Sequence, residues 1–193
     1  ALNSFQMDGG LWGLPWQDGA NLMVAYHPDI FDQYGFTEFP EITSLDEMNE
    51  FLKTFWTVQN GQQTMTTFFP HGSLGSVRNT LQTWAYMNGA TTTTFYNPET
   101  RKVSFNDPLI VEALEWVVRF KRENIDDDRI AELDATLPEN TNRFLAGKQS
   151  ITATFLTDAV SLYKENPELG ITTMPEQSLW FGGWGGGMST GSK

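Results

Sequence analysis

At 193 residues the chain fits a single domain of roughly 100–200 residues, and 39% hydrophobic against 19% charged residues is too apolar for a disordered chain. Lys and Arg number 12 against 24 Asp and Glu, so the net charge of −12 has the wrong sign for gripping nucleic acid, and no apolar run approaches the roughly 20 residues of a membrane-spanning helix. With no cysteine and only two distant histidines, His27 and His71, disulfides, thiolate chemistry and the common zinc motifs are excluded, and no metal or cofactor is expected.

From the N-terminus, Leu11 to Trp16 and Asn21 to Tyr26 are short apolar runs that read as buried core strands. Pro28, followed by Ile30, Phe31 and Tyr34 at helical spacing and closed by Gly35, predicts a short helix. Ser44 and Glu47 form a capping box ahead of Leu45, Met48, Phe51, Leu52 and Phe55, the clearest helix start in the chain. Leu74, Val77, Leu81, Trp84 and Met87 predict a further helix that ends at Asn88-Gly89. Thr92 to Phe95 and Lys102 to Phe105, around Asn97-Pro98-Glu99-Thr100, predict a hairpin. Asp107-Pro108 caps a helix running to about Asn124, and Asp126-Asp127-Asp128 reads as a solvated acidic loop. Asn140 to Ala146 predicts a short helix, Ser150 to Phe155 a strand, Asp158 to Glu165 a helix, and Leu169 to Met174 a strand. Helices and strands alternate, so the expected class is α/β, a sheet covered by helices.

Seven tryptophans exceed what a core of this size requires. Trp56, Trp84 and Trp116 lie on or beside helical stripes and read as core. Trp12, Trp16 and Trp184 stand beside Gly or Pro at loops or strand ends, where recognition residues concentrate; a flat indole there can stack on the apolar face of a pyranose. Phe181 to Gly187 is glycine-rich but lacks a phosphate-loop lysine pattern, and reads as a crossing strand where backbones pack closely. Carboxylates are plentiful, yet no spacing pairs two of them for glycoside hydrolysis, and no nucleophile elbow is present.

The order of the motifs adds a resemblance. Asp8 to Trp16 resembles the "DGKxYGxPW" segment of extracellular solute-binding proteins of sugar ABC transporters, the family 1, maltose-binding-protein-like group. Tyr26 to Phe31 with Tyr34-Gly35-Phe36 is similar to its "YNKDLF…GI", and Thr43 to Glu47 to its "TWDE". Trp84 to Gly89 resembles its "W…G" helix end, Phe105 to Pro108 its "FNDP", Phe144 to Ile151 its "FxxGKAAM", and Gly183 to Lys193 its "GGxGxxIxxxSK" return. His27-Pro28 stands where the family has Asn-Lys, and Thr157 near where maltose-type members place a sugar-stacking Trp.

The resemblance implies a periplasmic-binding-protein-like type II lobe, α/β with a mixed sheet flanked by helices. Residues 1–193 would form one domain, the second lobe of a two-lobe protein, with hinge crossings near 8–18 and 181–193. The opening Ala1-Leu2-Asn3-Ser4 then reads as the interior of a longer chain. It further implies a non-catalytic role in sugar or oligosaccharide uptake, extracellular or periplasmic, with a lipid anchor or free in the periplasm. The partners would be the sugar, the first lobe of the same protein and a transporter permease, with no nucleic acid. The ligand wall expected from this combination comprises Trp184, Trp16 and Asp18, together with Trp12, Arg78, Asn79 and Thr157. The rival readings are a glycoside hydrolase fragment and a stand-alone interaction module.

Overall fold

The computed structural model describes residues 5–18, 22–72, 74, 77–175, 178 and 183–187. The chain opens with β1 (Gln6–Met7) and β2 (Gly10–Leu11), joined by Asp8 and Gly9, both at positive φ as a two-residue hairpin turn requires. β3 (Leu14–Asp18) follows, then β4 (Leu22–Tyr26), α1 (Pro28–Gln33) and α2 (Leu45–Thr54). β5 (Thr57–Gln59) and β6 (Gln62–Met65) form a hairpin closed by Asn60-Gly61, again both at positive φ, a turn signal that the sequence reading passed over. α3 (Val77–Met87), α4 (Thr92–Phe95), β7 (Tyr96–Asn97), β8 (Lys102–Val103), α5 (Pro108–Asn124) and α6 (Asp127–Asp134) come next. The last elements are β9 (Ile151–Phe155), α7 (Leu156–Glu165), β10 (Gly170–Thr173) and β11 (Gly183–Gly186).

A three-stranded antiparallel sheet in the order β10-β4-β9 organises the chain. β4 is buried on both faces. Leu22 and Val24 join the main core with Phe31, Met48, Leu52, Phe55, Phe68, Trp84, Ile110 and Phe120, whereas Ala25 belongs to a smaller cluster with Phe144 and Leu169. The layer order is therefore helix, sheet, helix, as expected for α/β. All strand pairings in this sheet are antiparallel; a parallel pairing occurs as an isolated bridge outside the strands, between Thr66 and Gln149, in which the Thr66 amide donates to the Lys148 carbonyl (3.0 Å) and the Ser150 amide to the Thr66 carbonyl (2.9 Å).

Aromatic packing dominates the main core. Phe31 stacks on Phe55 at 5.0 Å, with Phe51 edge-on to both, and Trp84 lies between Phe68 and Trp116. The Trp84 indole N–H donates to the Pro70 carbonyl at 2.8 Å, which ties the loop before α3 to that helix. His27 Nε2 lies 2.8 Å from the Phe144 carbonyl oxygen, joining the start of α1 to the segment before β9.

The structure corrects four expectations. Leu11, Trp12 and Leu14 are 53%, 64% and 59% exposed, so this run is not core; it forms a hairpin and ribbon outside the three-stranded sheet. Thr92 to Phe95 is helical, with hairpin pairing confined to β7 and β8, because Thr91 and Thr94 cap each other: the Thr91 amide donates to Thr94 Oγ1 (2.9 Å), and local hydroxyl bonding overrides the strand preference of the Thr run. Asp126 is no loop residue in effect; its Oδ1 accepts from the Asp128 and Arg129 amides and starts α6, whose Ile130 and Leu133 are buried. Residues 140–146 make successive turns instead of a helix, with Asn140 at positive φ and Asn142 Oδ1 accepting from the Leu145 amide.

Candidate functional site

The expected crossings pair with each other. β11 runs antiparallel to β3, with Gly183 opposite Asp18, Trp184 opposite Gln17, and a register shift before Gly185 and Gly186 reach Pro15 and Leu14. Three of the predicted wall residues, Trp16, Asp18 and Trp184, thus share one two-stranded ribbon although more than 160 residues of chain lie between the strands. The side chains of Trp16, Asp18 and Trp184 lie outside the described residues, as does that of Arg78.

Close backbone approach explains the glycines. A Cβ on Gly13 would meet the Phe5 ring at 2.9 Å and the Gly186 carbonyl at 3.1 Å, and one on Gly187 would meet the Trp12 carbonyl at 3.0 Å. Larger residues at Gly13 and Gly187 would push the two segments apart, so glycine at these two positions is a packing device. Trp12 itself donates its amide to the Phe5 carbonyl at 2.9 Å and exposes most of its side chain.

β4, the central strand of the three-stranded sheet, begins at Leu22, four positions after Asp18. There Leu22 pairs with Phe155, the last residue of β9, and its carbonyl accepts from the Met174 amide just past β10. Thr157 stands exposed in the first turn of α7. Phe155, the strand partner of Leu22, thus stands two positions before Thr157 at the β9–α7 junction. Phe155, half-buried at that junction, is an aromatic the sequence reading left out; its strand-end position was the available signal. Trp12 lies away from Asp18, since β3 alone places about 13 Å of extended backbone between Leu14 and Asp18. Asn79, in the first turn of α3, donates its Nδ2 to the Leu74 carbonyl at 3.1 Å, which orders the loop leading into the helix.

The electrostatics add little chemistry. Among the described residues no group of three or more His, Asp or Glu is arranged to hold a metal ion. Among the described residues the titrating groups moved from their usual values are Glu47 and His71, and neither lies on the ribbon or at the β9–α7 junction.

Helices on both faces of a small antiparallel sheet, with β3 and β11 paired in a separate ribbon, make up the described α/β fold. The chain belongs to the bacterial extracellular solute-binding protein family, whose model matches residues 1–193. Solved structures share the fold. CpMnBP1 with mannobiose bound is similar at a TM-score of 0.62 and 18% identity, covering 89% of this chain and 42% of that one. An ABC transporter solute-binding protein from Agrobacterium vitis S4 with bound D-mannitol gives 0.63 and 20%, over 100% of this chain and 46% of that one. The GacH receptor of Streptomyces glaucescens, solved unliganded and with acarbose, gives 0.63 and 17%, over 100% and 48%. The chain thus spans less than half the length of these structures. No curated protein matches it in sequence.

Proposed function

We propose that the chain is the second lobe of an extracellular or periplasmic binding protein that captures a sugar or oligosaccharide for an ABC transporter permease, without catalysis, held by a lipid anchor or free in the periplasm. Family membership over the whole chain supports the solute-binding role, and the saccharides and sugar alcohol bound by fold neighbours support the ligand class. The observation that carries the placement is the β3–β11 ribbon, which unites Trp16, Asp18 and Trp184 at the strands through which the resemblance has the chain cross between lobes. Residues 8–18 and 181–193 are then the hinge segments, and closure of a first lobe onto this wall would enclose the ligand.

In this reading the indoles of Trp184 and Trp16 stack on sugar faces and the Asp18 carboxylate accepts from hydroxyls, with Arg78, Asn79 and Thr157 as further members of the wall. Trp12, at the far end of β3, contacts only a ligand long enough to reach along the ribbon. The test is Trp184→Ala in the two-lobe protein, titrated calorimetrically with its best saccharide. A stacking role costs about 1–3 kcal/mol of binding with the fold intact. Unchanged affinity removes Trp184 from the wall.

A further inference from the structure

A groove of about 340 Å³ lies away from the ribbon, lined by His71, Val117, Val118, Lys121, Arg122 and Ile125. Its volume falls in the range of small-molecule sites, roughly 300–1,000 Å³. None of the predicted wall residues lines it. Its floor is the apolar side of the last turns of α5, from buried Val117 to half-exposed Val118, closed by Ile125 just past the helix. Its polar groups are cationic or neutral, in a chain of net charge −12.

Those polar groups are short of partners. His71 Nδ1 is buried and makes no hydrogen bond among the described residues. Arg122 forms no ion pair among the described residues. Lys121 pairs with Asp127 at 3.6 Å, but both side chains are about half exposed or more, and such a pair exchanges readily for another anion. Both cations stand in the last turn of α5, where the helix dipole holds positive charge in place. An imidazole nitrogen and an exposed guanidinium, neither with a polar partner among the described residues, line one groove with an apolar floor, a combination complementary to a carboxylate on an apolar body.

We propose that this groove is a second binding site, taking a small organic monoanion whose carboxylate meets Arg122, Lys121 and His71 while its hydrocarbon lies along Val117, Val118 and Ile125. The occupant needs both parts. Acetate lacks the body that covers the floor, and a neutral alcohol of the same length lacks the charge that Arg122 and Lys121 await.

The test titrates the isotopically labelled chain with sodium octanoate, sodium acetate and 1-octanol, followed by amide and histidine ring resonances. Octanoate is expected to shift His71, Val117, Val118 and Ile125 saturably and to bind at least about tenfold tighter than either control. Arg122→Gln is expected to weaken octanoate about tenfold, the effect of losing one charge-assisted hydrogen bond. Val118→Trp, which fills the groove from an exposed position, should abolish binding with the melting temperature unchanged. Equal affinity for octanol and octanoate, equal affinity for acetate and octanoate, shifts centred elsewhere, or octanoate binding that survives Val118→Trp would each overturn the proposal. Because the groove shares no residue with the sugar wall, the saccharide response of Trp184→Ala is independent of every arm.

Discussion

Gly170 opposite Tyr26 shows how one atom decides a strand pairing. An added Cβ at Gly170 would fall inside the Tyr26 ring, which therefore lies flat over the glycine at the start of β10. Gly170→Ala is expected to destabilise the chain by about 1–3 kcal/mol, read as a lower urea midpoint, because the ring must leave its place against the core. Among the described residues, two titrating groups with shifted values contribute to the acid response. Glu47 sits below its ordinary value, first because the Thr43 amide donates to its Oε2 at 2.7 Å and then because the Thr43 hydroxyl does so at 2.9 Å. His71 is also lowered, first by burial and then by the Lys121 charge, with Asp127 opposing. Both shifts have one sign. A lowered folded value means the unfolded chain binds the proton more readily, so the stability is present above the ordinary value and lost as pH falls through the folded one. The His71 limb should thus begin below 6.5 and the Glu47 limb below 4.5. Urea midpoints against pH should lose the upper limb in His71→Leu and the lower in Glu47→Gln; an unchanged profile would remove the assignment.

Among the elements, the caps separate what was legible from what was not. Ser44 was read as an N-cap, and its Oγ accepts the Glu47 amide at 3.2 Å; the Glu47 carboxylate reaches back to Thr43. Asp126 does the same work for α6, yet the acidic triplet masked it, because three carboxylates in a row look like a solvated loop unless the buried pair Ile130 and Leu133 is noticed behind them. Ser44→Ala and Asp126→Ala are each expected to cost about 1 kcal/mol, measured as a shift in urea midpoint at constant slope. Hydrogen exchange should accelerate in the first turn of α2 for the former and of α6 for the latter. Helix ends at Gly35 and Asn88-Gly89 were equally readable, since a left-handed glycine is a local signal. The Asn60-Gly61 hairpin was readable by the same logic and was missed because its arms are mostly polar.

For the whole molecule, the length relation to the fold neighbours sets the expected binding behaviour. If this chain supplies one wall of a cleft, a ligand on it keeps about half its contacts while the cost of association does not halve, so affinity falls by orders of magnitude. A thermal-shift screen with mono- and oligosaccharides should give little stabilisation of this chain and a clear rise for a version extended at both ends to include a first lobe, since stabilisation grows as RT ln(1 + [L]/Kd). No rise in either form would turn the proposal toward a ligand that is not a saccharide.

By itself the sequence determined the α/β class, most helices, their caps and stops, and through the order of its motifs the family. These are short-range properties: a cap, a turn or an apolar stripe is written within a few residues, and the backbone groups it satisfies are neighbours. The tertiary structure alone decided what lies far apart in the chain. The pairing of β3 with β11, the parallel bridge of Thr66 with Gln149 and the bond from His27 to the Phe144 carbonyl join segments whose backbone groups find partners only when the sheet and its two covering layers assemble. The same assembly exposed Leu11 and Leu14, which their apolar run had placed inside, because their strands pair with β1 and β11 in two-stranded sheets of their own.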